Sequence, residues 1–143
     1  MTENVLDDLL CFDLYSLSRT VTSIYRPVLE PHGLTYPQFL VLVALTRTGP
    51  ASIREIGRAT RLDHGTLTPL LRRMADRGLI SLDRSEHDGR SVTVSLTTDG
   101  EALQPVLVEA QCHLGDALGM TEKQVRELQR SLQGLAQHLD GPG

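Results

Sequence analysis

An α+β, mainly α fold is predicted by three features of the sequence. Apolar residues recur at spacings of three and four near both ends of the chain, a pattern typical of amphipathic helices. Four capping-box patterns and several Pro- or Gly-containing breaks divide the chain into separate helices. Between residues 79 and 96, two short segments alternate apolar and polar side chains, which indicates a β-hairpin.

The first of these helices is predicted to run from about Leu6 to Leu29. Its apolar residues follow one another at spacings of 4, 3, 4, 3 and 4: Leu10, Leu14, Leu17, Val21, Ile24 and Val28. The sequence Glu30-Pro31-His32-Gly33 should end it, because proline and glycine are common just beyond a helix.

Three helices are predicted in the next part of the chain. The capping box Thr35-Tyr36-Pro37-Gln38 should open a helix that ends near Arg47, and Ser52-Ile53-Arg54-Glu55 should open a short helix that ends near Arg61. After a tight turn, a third helix is expected from about Asp63 to Arg77. Its buried face is predicted to consist of Leu67, Leu70, Leu71 and Met74.

The two alternating segments, Leu79–Asp83 and Ser91–Leu96, are predicted to be strands joined by a turn at Asp88-Gly89. Beyond them, Thr98-Asp99-Gly100-Glu101 should cap a long helix that is kinked by Pro105 and interrupted near Gly115 and Gly119. Thr121 should cap the last helix, whose apolar seam is Val125, Leu128, Leu132, Leu135 and Leu139.

Two helices joined by a tight turn and followed by a hairpin describe a winged helix-turn-helix. We expect residues 35–97 to form this region, and residues 1–34 and 98–143 to form a helical dimerisation region intertwined with it. The apolar seams at both chain ends exceed what one small domain needs to bury, which favours a homodimer.

Length and composition limit the classes of protein to consider. The chain has 143 residues, of which 40% are hydrophobic and 22% are charged, as in one folded domain. The apolar run Phe39–Leu45 is too short to span a bilayer, so no membrane partner is expected. Because no signal-peptide pattern is present, we expect a cytoplasmic location. Two cysteines, Cys11 and Cys112, should then start as thiols.

The charge distribution favours nucleic-acid binding more than the net charge of −4 does. Residues 54–98 carry +2, whereas the segments before and after them carry −2 and −4. On the third predicted helix, small polar residues precede arginines on the outward face, which suits entry into a major groove N-terminus first. The alternative for each feature taken singly is a solvated charged surface. The candidate residues on this helix are His64, Thr66, Thr68, Pro69, Arg72 and Arg73.

The predicted hairpin turn supplies a second candidate contact with DNA. Asp88 precedes Arg90 by two residues and could hold its guanidinium in one direction, as a narrow minor groove requires. The alternative is an ordinary surface salt bridge. In this order of elements, we favour binding to a double-stranded DNA operator.

These residues resemble a known family. Asp63-His64-Gly65-Thr66-Leu67-Thr68-Pro69-Leu70-Leu71-Arg72-Arg73 and Asp88-Gly89-Arg90 look like the recognition helix and wing of MarR-type repressors. Leu10-Cys11-Phe12-Asp13-Leu14-Tyr15, Tyr25-Arg26-Pro27 and Leu34-Thr35-Tyr36-Pro37-Gln38 are similar to the organic hydroperoxide-sensing OhrR branch. The resemblance covers about residues 6–139. It departs at His64, where serine is common, and this departure bears on the operator sequence.

A polar stripe on the first predicted helix contains Cys11, Tyr15 and Tyr25. Cys11 and Tyr15 are one turn apart and can touch, whereas Tyr25 lies ~21 Å further along a continuous helix. Tyr25 could therefore reach a Cys11 thiol only in a partner subunit. The local sequence alone favours the interpretation of Cys11 as a buried, inert cysteine.

The resemblance implies specific roles for these residues. Cys11 would be the peroxide-reactive thiol, Tyr25 and Tyr36 would donate hydrogen bonds to it across a dimer, and Tyr15 would complete the pocket. Phenol donors favour the reactive thiolate, although Asp7 and Asp8 oppose its formation. Cys112 would be either a resolving thiol for oxidised Cys11 of the other subunit or a half-buried packing residue.

The sequence thus predicts a redox-sensing repressor whose reduced homodimer binds a pseudo-palindromic operator and leaves it when organic hydroperoxide oxidises Cys11. A repressor released by a small phenolic ligand is the nearest alternative; a thiol peroxidase and a dimeric module that does not bind DNA are the others. Enzymatic turnover is not expected. The five histidines show no ligand spacing, and neither a metal nor a cofactor is expected.

Overall fold

The computed structural model describes residues 4–84 and 91–141 of the chain. Seven helices and three strands follow one another in these residues, and a 3-10 turn, Glu30–His32, joins the first helix to the second. The elements are α1 (Leu10–Leu29), α2 (Tyr36–Thr48), β1 (Ala51–Ser52), α3 (Ile53–Thr60), α4 (His64–Asp76), β2 (Ile80–Arg84), β3 (Val92–Leu96), α5 (Thr98–Glu101), α6 (Gln104–Leu118) and α7 (Glu122–Asp140).

This order confirms the predicted α+β, mainly α winged helix-turn-helix. Three predicted capping boxes are present and begin α2, α3 and α7. In the first of them, Gln38 N–H donates to Thr35 Oγ1 over 3.4 Å, and Thr35 N–H donates to Gln38 Oε1 over 3.1 Å. Each box satisfies two backbone groups that a helix start leaves unpaired.

The sheet has three antiparallel strands in the order β1-β3-β2. Val94, at its centre, is opposite Ala51 on one side and Leu82 on the other. The sequence predicts only the hairpin of β2 and β3. Strand β1 was not predicted, because two residues are too few to show an alternating pattern. The predicted turn at Asp88-Gly89 lies outside the described residues.

The core lies between the helix-turn-helix, the sheet and the helices that flank them. As predicted, α4 buries Leu67, Leu70, Leu71 and Met74. They join one hydrophobic cluster with residues from α1, α2, the sheet and α6, including Leu29, Leu42, Leu45, Val94 and Leu107. The opposite face of α4 faces solvent.

Helix α1 begins at Leu10, and the predicted start at Leu6 was wrong. Side chains of the preceding residues bond to nearby backbone groups instead: Leu6 N–H donates to Asn4 Oδ1, and Asn4 N–H donates to Asp7 Oδ2, each over 3.0 Å. Such local bonds compete with helix formation.

The predicted long helix after the hairpin is divided into α5 and α6, and its predicted cap at Thr98 was wrong. The N-cap is Thr97, whose Oγ1 accepts a hydrogen bond from Gly100 N–H over 3.1 Å. Pro105 lies in the first turn of α6, where a missing N–H costs nothing, so it does not kink the helix. Gly115 does not interrupt α6, whereas Gly119 ends it with a left-handed φ of 61°.

Gly100 is required where α5 packs against the backbone of Leu79, just before β2. A β-carbon at this residue would overlap the carbonyl oxygen of Leu79 and lie 3.3 Å from Leu96 Cδ2. We expect Gly100→Ala to lower the free energy of unfolding by about 1–3 kcal/mol, because backbone must move to accept the methyl group. Urea unfolding measures the change. The control is Gly134→Ala, where the new methyl group meets nothing within 4 Å, and equal losses in both variants would contradict the prediction.

Helices α1 and α7 expose apolar side chains. Of the α7 residues, none is buried, and its apolar stripe of Leu128, Leu132, Leu135 and Leu139 faces solvent. Leu10, Leu14 and Leu17 on α1 are exposed in the same way. No helix in the described part of the chain is long and apolar enough to cross a membrane.

Candidate functional site

The outward face of α4 carries the residues that the sequence analysis assigned to DNA reading. His64, Arg72 and Arg73 are exposed, and Thr68 is half-buried. His64, Thr68 and Arg72 follow at intervals of four, and His64 Nε2 lies 3.5 Å from Thr68 Oγ1. Thr66 and Pro69 are also exposed. The stripe therefore presents donors along one side of the helix, starting at its positively polarised end.

Asp63 occupies the N-cap position of α4, but its side chain accepts no hydrogen bond from the first turn. The N–H groups in the first turn of α4 are therefore not capped by this carboxylate. Gly65 in the same turn is exposed and has no side chain, so it adds no bulk at the start of the helix.

A groove beside this helix adds two residues that the sequence analysis did not single out. Arg54 and Arg58 of α3, His64 of α4, and Ser91 and Val92 at the base of the wing line a cavity of about 690 Å³. The two arginines are four residues apart and thus share one face of α3. Their spacing was the signal that could have identified them.

Most of the described arginines without a side-chain partner belong to α3, α4 and β2, and two of them line this groove. Within the described residues, the side chains of five arginines form no hydrogen bond, ion pair or ring contact, and Arg130 on α7 is the only other such arginine; the five are Arg54, Arg58, Arg72, Arg73 and Arg84. By contrast, Arg26 pairs with Glu30, and Arg61 with Asp140. Unpaired guanidinium groups provide sites for phosphate groups.

Two predicted DNA-contacting residues, Asp88 and Arg90, lie outside the described residues. The strands that lead to them, β2 and β3, are paired from Ile80–Leu96 to Arg84–Val92. The described ends of these strands lie beside the groove, since Val92 lines it.

At the start of α1, Cys11 is a free, exposed thiol. Tyr15, one turn later, is 63% exposed, and Arg19 Cζ lies 5.6 Å from the centre of its ring. This arrangement is a cation–π contact, which holds the phenol ring against the arginine. The predicted pairing of Cys11 and Tyr15 on one helix face is thus compatible with the positions of both residues.

At the other end of α1, Tyr25 belongs to an aromatic cluster. Its ring centre lies 5.1 Å from that of Tyr36 and 4.9 Å from that of Phe39, both on α2. Tyr25 is only 6% exposed. A cavity of about 280 Å³ opens beside Tyr36, between the end of α1 and the start of α2. The structure therefore brings Tyr25 and Tyr36 together.

Both phenols of this pair are kept neutral. Burial raises the pKa of Tyr25 and of Tyr36 above the ordinary value of 10.0, and Coulombic repulsion from Tyr36 raises the pKa of Tyr25 further. Neutral phenols keep their O–H groups and can donate hydrogen bonds at any physiological pH.

The raised pKa values predict a pH dependence of stability. Folding favours the protonated phenols, so their contribution is fully present below pH 10.0, the ordinary value, and is lost as pH rises through the higher folded-state pKa. The free energy of unfolding should therefore fall above that pH. Urea unfolding from about pH 9 to about pH 11 measures the decline. Tyr25→Phe should show a smaller decline than the native protein, and an equal decline in the two would contradict this account.

The structure does not join Cys11 to Tyr25 or Tyr36 within one chain. Helix α1 is unbroken from Leu10 to Leu29, so Cys11 and Tyr25 are ~21 Å apart along it. Cys112, on α6, is also a free, exposed thiol. Among the residues that the structure describes, no group of three or more His, Cys, Asp or Glu side chains could hold a metal ion.

Comparisons with known proteins identify the family of the chain. Residues 32–91 match a model of the MarR family. The chain is 41% identical to an organic hydroperoxide resistance transcriptional regulator of Bacillus subtilis, over 87% of this chain and 83% of that protein. It is 39% identical to the HTH-type transcriptional regulator MgrA of Staphylococcus aureus, over 89% and 87% of the two chains.

Solved structures include a similar protein in complex with DNA. Reduced AbfR bound to DNA is 30% identical to this chain and superposes with a TM-score of 0.78, over 94% of each chain. The resemblance predicted from the sequence is thus confirmed along most of the chain. With relatives this similar over so much of their length, the chain belongs to the MarR family of transcriptional regulators.

Proposed function

We propose that this regulator is a repressor that senses organic hydroperoxides through Cys11. The reduced homodimer binds a pseudo-palindromic operator, and oxidation of Cys11 releases it. The observation that carries the proposal is the separation of two complementary halves along α1: an exposed thiol at one end, and a pair of neutral phenols at the other. Two copies that run past each other would unite the halves.

The exposed apolar side chains support such a pairing. An amphipathic helix is stable when its apolar face is buried, and α7 buries none of its residues within the protomer. A second copy that covers α1 and α7 would bury these faces and bring Cys11 of one protomer to the phenols of the other. Residues 1–34 and 98–143 would then form the dimerisation region.

The unpaired arginines support DNA as the partner. In a symmetric dimer, the two α4 helices would enter successive major grooves ~34–36 Å apart. His64, Thr66, Thr68, Pro69, Arg72 and Arg73 would face the bases, and Asp63 would lie at the start of the helix. Arg54 and Arg58 would contact phosphates beside them, and Arg90, oriented by Asp88, would reach the adjacent minor groove.

The chemistry follows from a thiolate at Cys11. Its sulfur attacks the terminal oxygen of the hydroperoxide ROOH, the O–O bond breaks, and the alkoxide takes a proton to leave as the alcohol ROH. Sulfur loses two electrons and becomes a sulfenic acid, and the peroxide gains them. The phenol donors stabilise the thiolate against the nearby carboxylates of Asp7 and Asp8. Apolar side chains beside Cys11, such as Leu10 and Leu14, favour an organic peroxide.

A second step would fix the oxidised state. The sulfenic acid of Cys11 condenses with the thiol of Cys112 in the partner, which forms a disulfide and releases water. Each protomer then consumes one hydroperoxide and stops, because Cys11 in the disulfide has no free thiol left to react. The protein would therefore respond stoichiometrically and would not act as a peroxidase.

The test measures binding of a fluorescent operator duplex before and after one equivalent of organic hydroperoxide per protomer. We expect the DNA to be released and to bind again after reduction with dithiothreitol. Non-reducing electrophoresis of the same samples reports whether a crosslinked dimer forms through Cys112. Retention of DNA by protein whose Cys11 has been oxidised, as shown by mass spectrometry, would disprove the proposal.

A further inference from the structure

The side chain of Arg77 connects the recognition helix to the junction of α1 and α2. Its Nη1 donates a hydrogen bond to the Gly33 carbonyl over 2.6 Å, and its Nη2 donates to the His32 carbonyl over 3.0 Å. Arg77 is the C-cap residue of α4, and Gly33 is the C-cap residue of the 3-10 turn. One guanidinium thus bridges two segments that are 44 and 45 residues apart in the chain.

The backbone at His32 and Gly33 leaves room for the guanidinium of Arg77. Gly33 has a left-handed φ of 66°, and a β-carbon there would lie 3.1 Å from Nη2 of Arg77. The guanidinium therefore lies against a backbone that has no side chain in the way. Its planar fork presents two N–H groups to two successive carbonyls, a geometry that the single ammonium group of lysine cannot reproduce.

Both ends of this bridge are anchored. On one side, Tyr25 and Tyr36 flank the junction and are in ring contact, and Leu34 N–H bonds to the Leu29 carbonyl over 3.1 Å. The junction and the phenol pair are thus parts of one packed unit. On the other side, Arg77 N–H bonds to the Arg73 carbonyl, in the last turn of α4.

The end of α4 has a second anchor on the far side. Thr97 Oγ1 donates to the Gly78 carbonyl over 2.5 Å, and Thr97 N–H donates to the Leu79 carbonyl over 3.1 Å. The recognition helix is therefore held at its C-terminal end between the α1–α2 junction and the start of α5. A shift of the junction has a direct hydrogen-bonded route to α4 through Arg77.

We propose that Arg77 is a positioning residue that transmits the state of the phenol pair to the recognition helix. The inference rests on the proposed function, in which oxidation of Cys11 removes the thiolate that the partner's phenols hold. When the phenols move, Arg77 carries the displacement of the junction to α4. Without the bridge, the dimer still binds operator, but oxidation changes the α4 orientation less.

The test compares the native protein with Arg77→Lys and Arg77→Gln in the full chain. The measured quantity is the ratio of the operator Kd after oxidation to that before oxidation. We expect the Kd of the reduced variants to stay within about threefold of native, because Arg77 is exposed and Arg77→Lys keeps the charge. The ratio should fall by about 5–150-fold, the usual range of a lost coupling between sites. An unchanged ratio in both variants would overturn the inference.

Amide hydrogen exchange gives a readout that does not depend on oxidation. In reduced Arg77→Lys, peptides that cover residues 29–36 and 72–79 should lose protection together, whereas Arg126→Lys, the same substitution in an ion pair on α7, should change neither. If the native protein itself does not respond to hydroperoxide, the proposed function fails. Amide hydrogen exchange alone then tests whether Arg77 couples the two segments. Loss of protection in only one of the two segments would refute the coupling.

Discussion

Cys11→Ser is expected to abolish the release of operator DNA by organic hydroperoxide. Serine keeps the size and exposure of the side chain but forms no sulfenic acid or disulfide. The affinity of the untreated variant should stay within about twofold of native, because exposed substitutions usually change free energies by no more than about 0.5 kcal/mol. Operator binding with and without hydroperoxide measures both quantities.

The matched control is Cys112→Ser, which removes the other exposed thiol. It should still react with hydroperoxide at Cys11 but form no crosslinked dimer on a non-reducing gel. If Cys11→Ser still leaves the operator on oxidation, the sensor does not depend on this sulfur. If, instead, a small phenol releases native protein and Cys11→Ser equally, the ligand-controlled repressor is the better account.

Arg72→Ala is expected to lower operator affinity by roughly 5–150-fold, which corresponds to the ~1–3 kcal/mol of one arginine–guanine contact. Arg72 is exposed, has no partner within the described chain and continues the stripe of His64 and Thr68. Because the contact is to a base, the difference in affinity between operator and unrelated DNA should also shrink. Titrations with both duplexes measure this difference.

Arg58→Ala should behave differently, since a phosphate contact carries no sequence information. Its affinity for operator and for unrelated DNA should fall by the same factor, and the salt dependence of binding should decrease by about one unit of slope. Arg130→Ala removes an unpartnered arginine from α7 and should change neither. If Arg72→Ala, Arg58→Ala and Arg130→Ala all lowered DNA affinity equally, the affinity would depend on net charge alone.

Most of the fold could be predicted from the sequence because its helix starts are marked by local chemistry. Thr35, Ser52 and Thr121 each carry a glutamine or glutamate three residues later, and each begins a helix. The buried face of α4 followed from the spacing of its leucines. These features act between neighbours in the chain and are therefore visible without tertiary structure.

Two errors, the missed strand β1 and the misplaced cap of α5, arose where non-local contacts decide the structure. Strand β1 exists because Ala51 and Ser52 pair with Val94 and Thr93, more than 40 residues away. Thr97, not Thr98, caps α5 because the Thr97 hydroxyl also bonds to the Gly78 carbonyl. No pattern within a few residues of either position encodes these partners.

In the candidate site, too, features set by local sequence could be predicted, whereas features set by tertiary contacts could not. The outward-facing residues of α4 could be identified because helical periodicity assigns one face of a helix to the core and leaves the other exposed. The contact between Tyr25 and Tyr36 depends on how α1 packs against α2, and the sequence does not predict it; the resemblance implied only that both tyrosines serve Cys11 of a partner. The bridge from Arg77 to two backbone carbonyls had no signal in the sequence, because carbonyl groups are present at every residue.

The aromatic cluster at the α1–α2 junction has a practical consequence. The chain contains no tryptophan and only three tyrosines, two of which are in ring contact in this cluster. Coupled, immobile chromophores dominate circular dichroism in the near ultraviolet. The untagged protein therefore carries its own spectroscopic reporter at the junction, and the rearrangement proposed there can be tested without an attached dye.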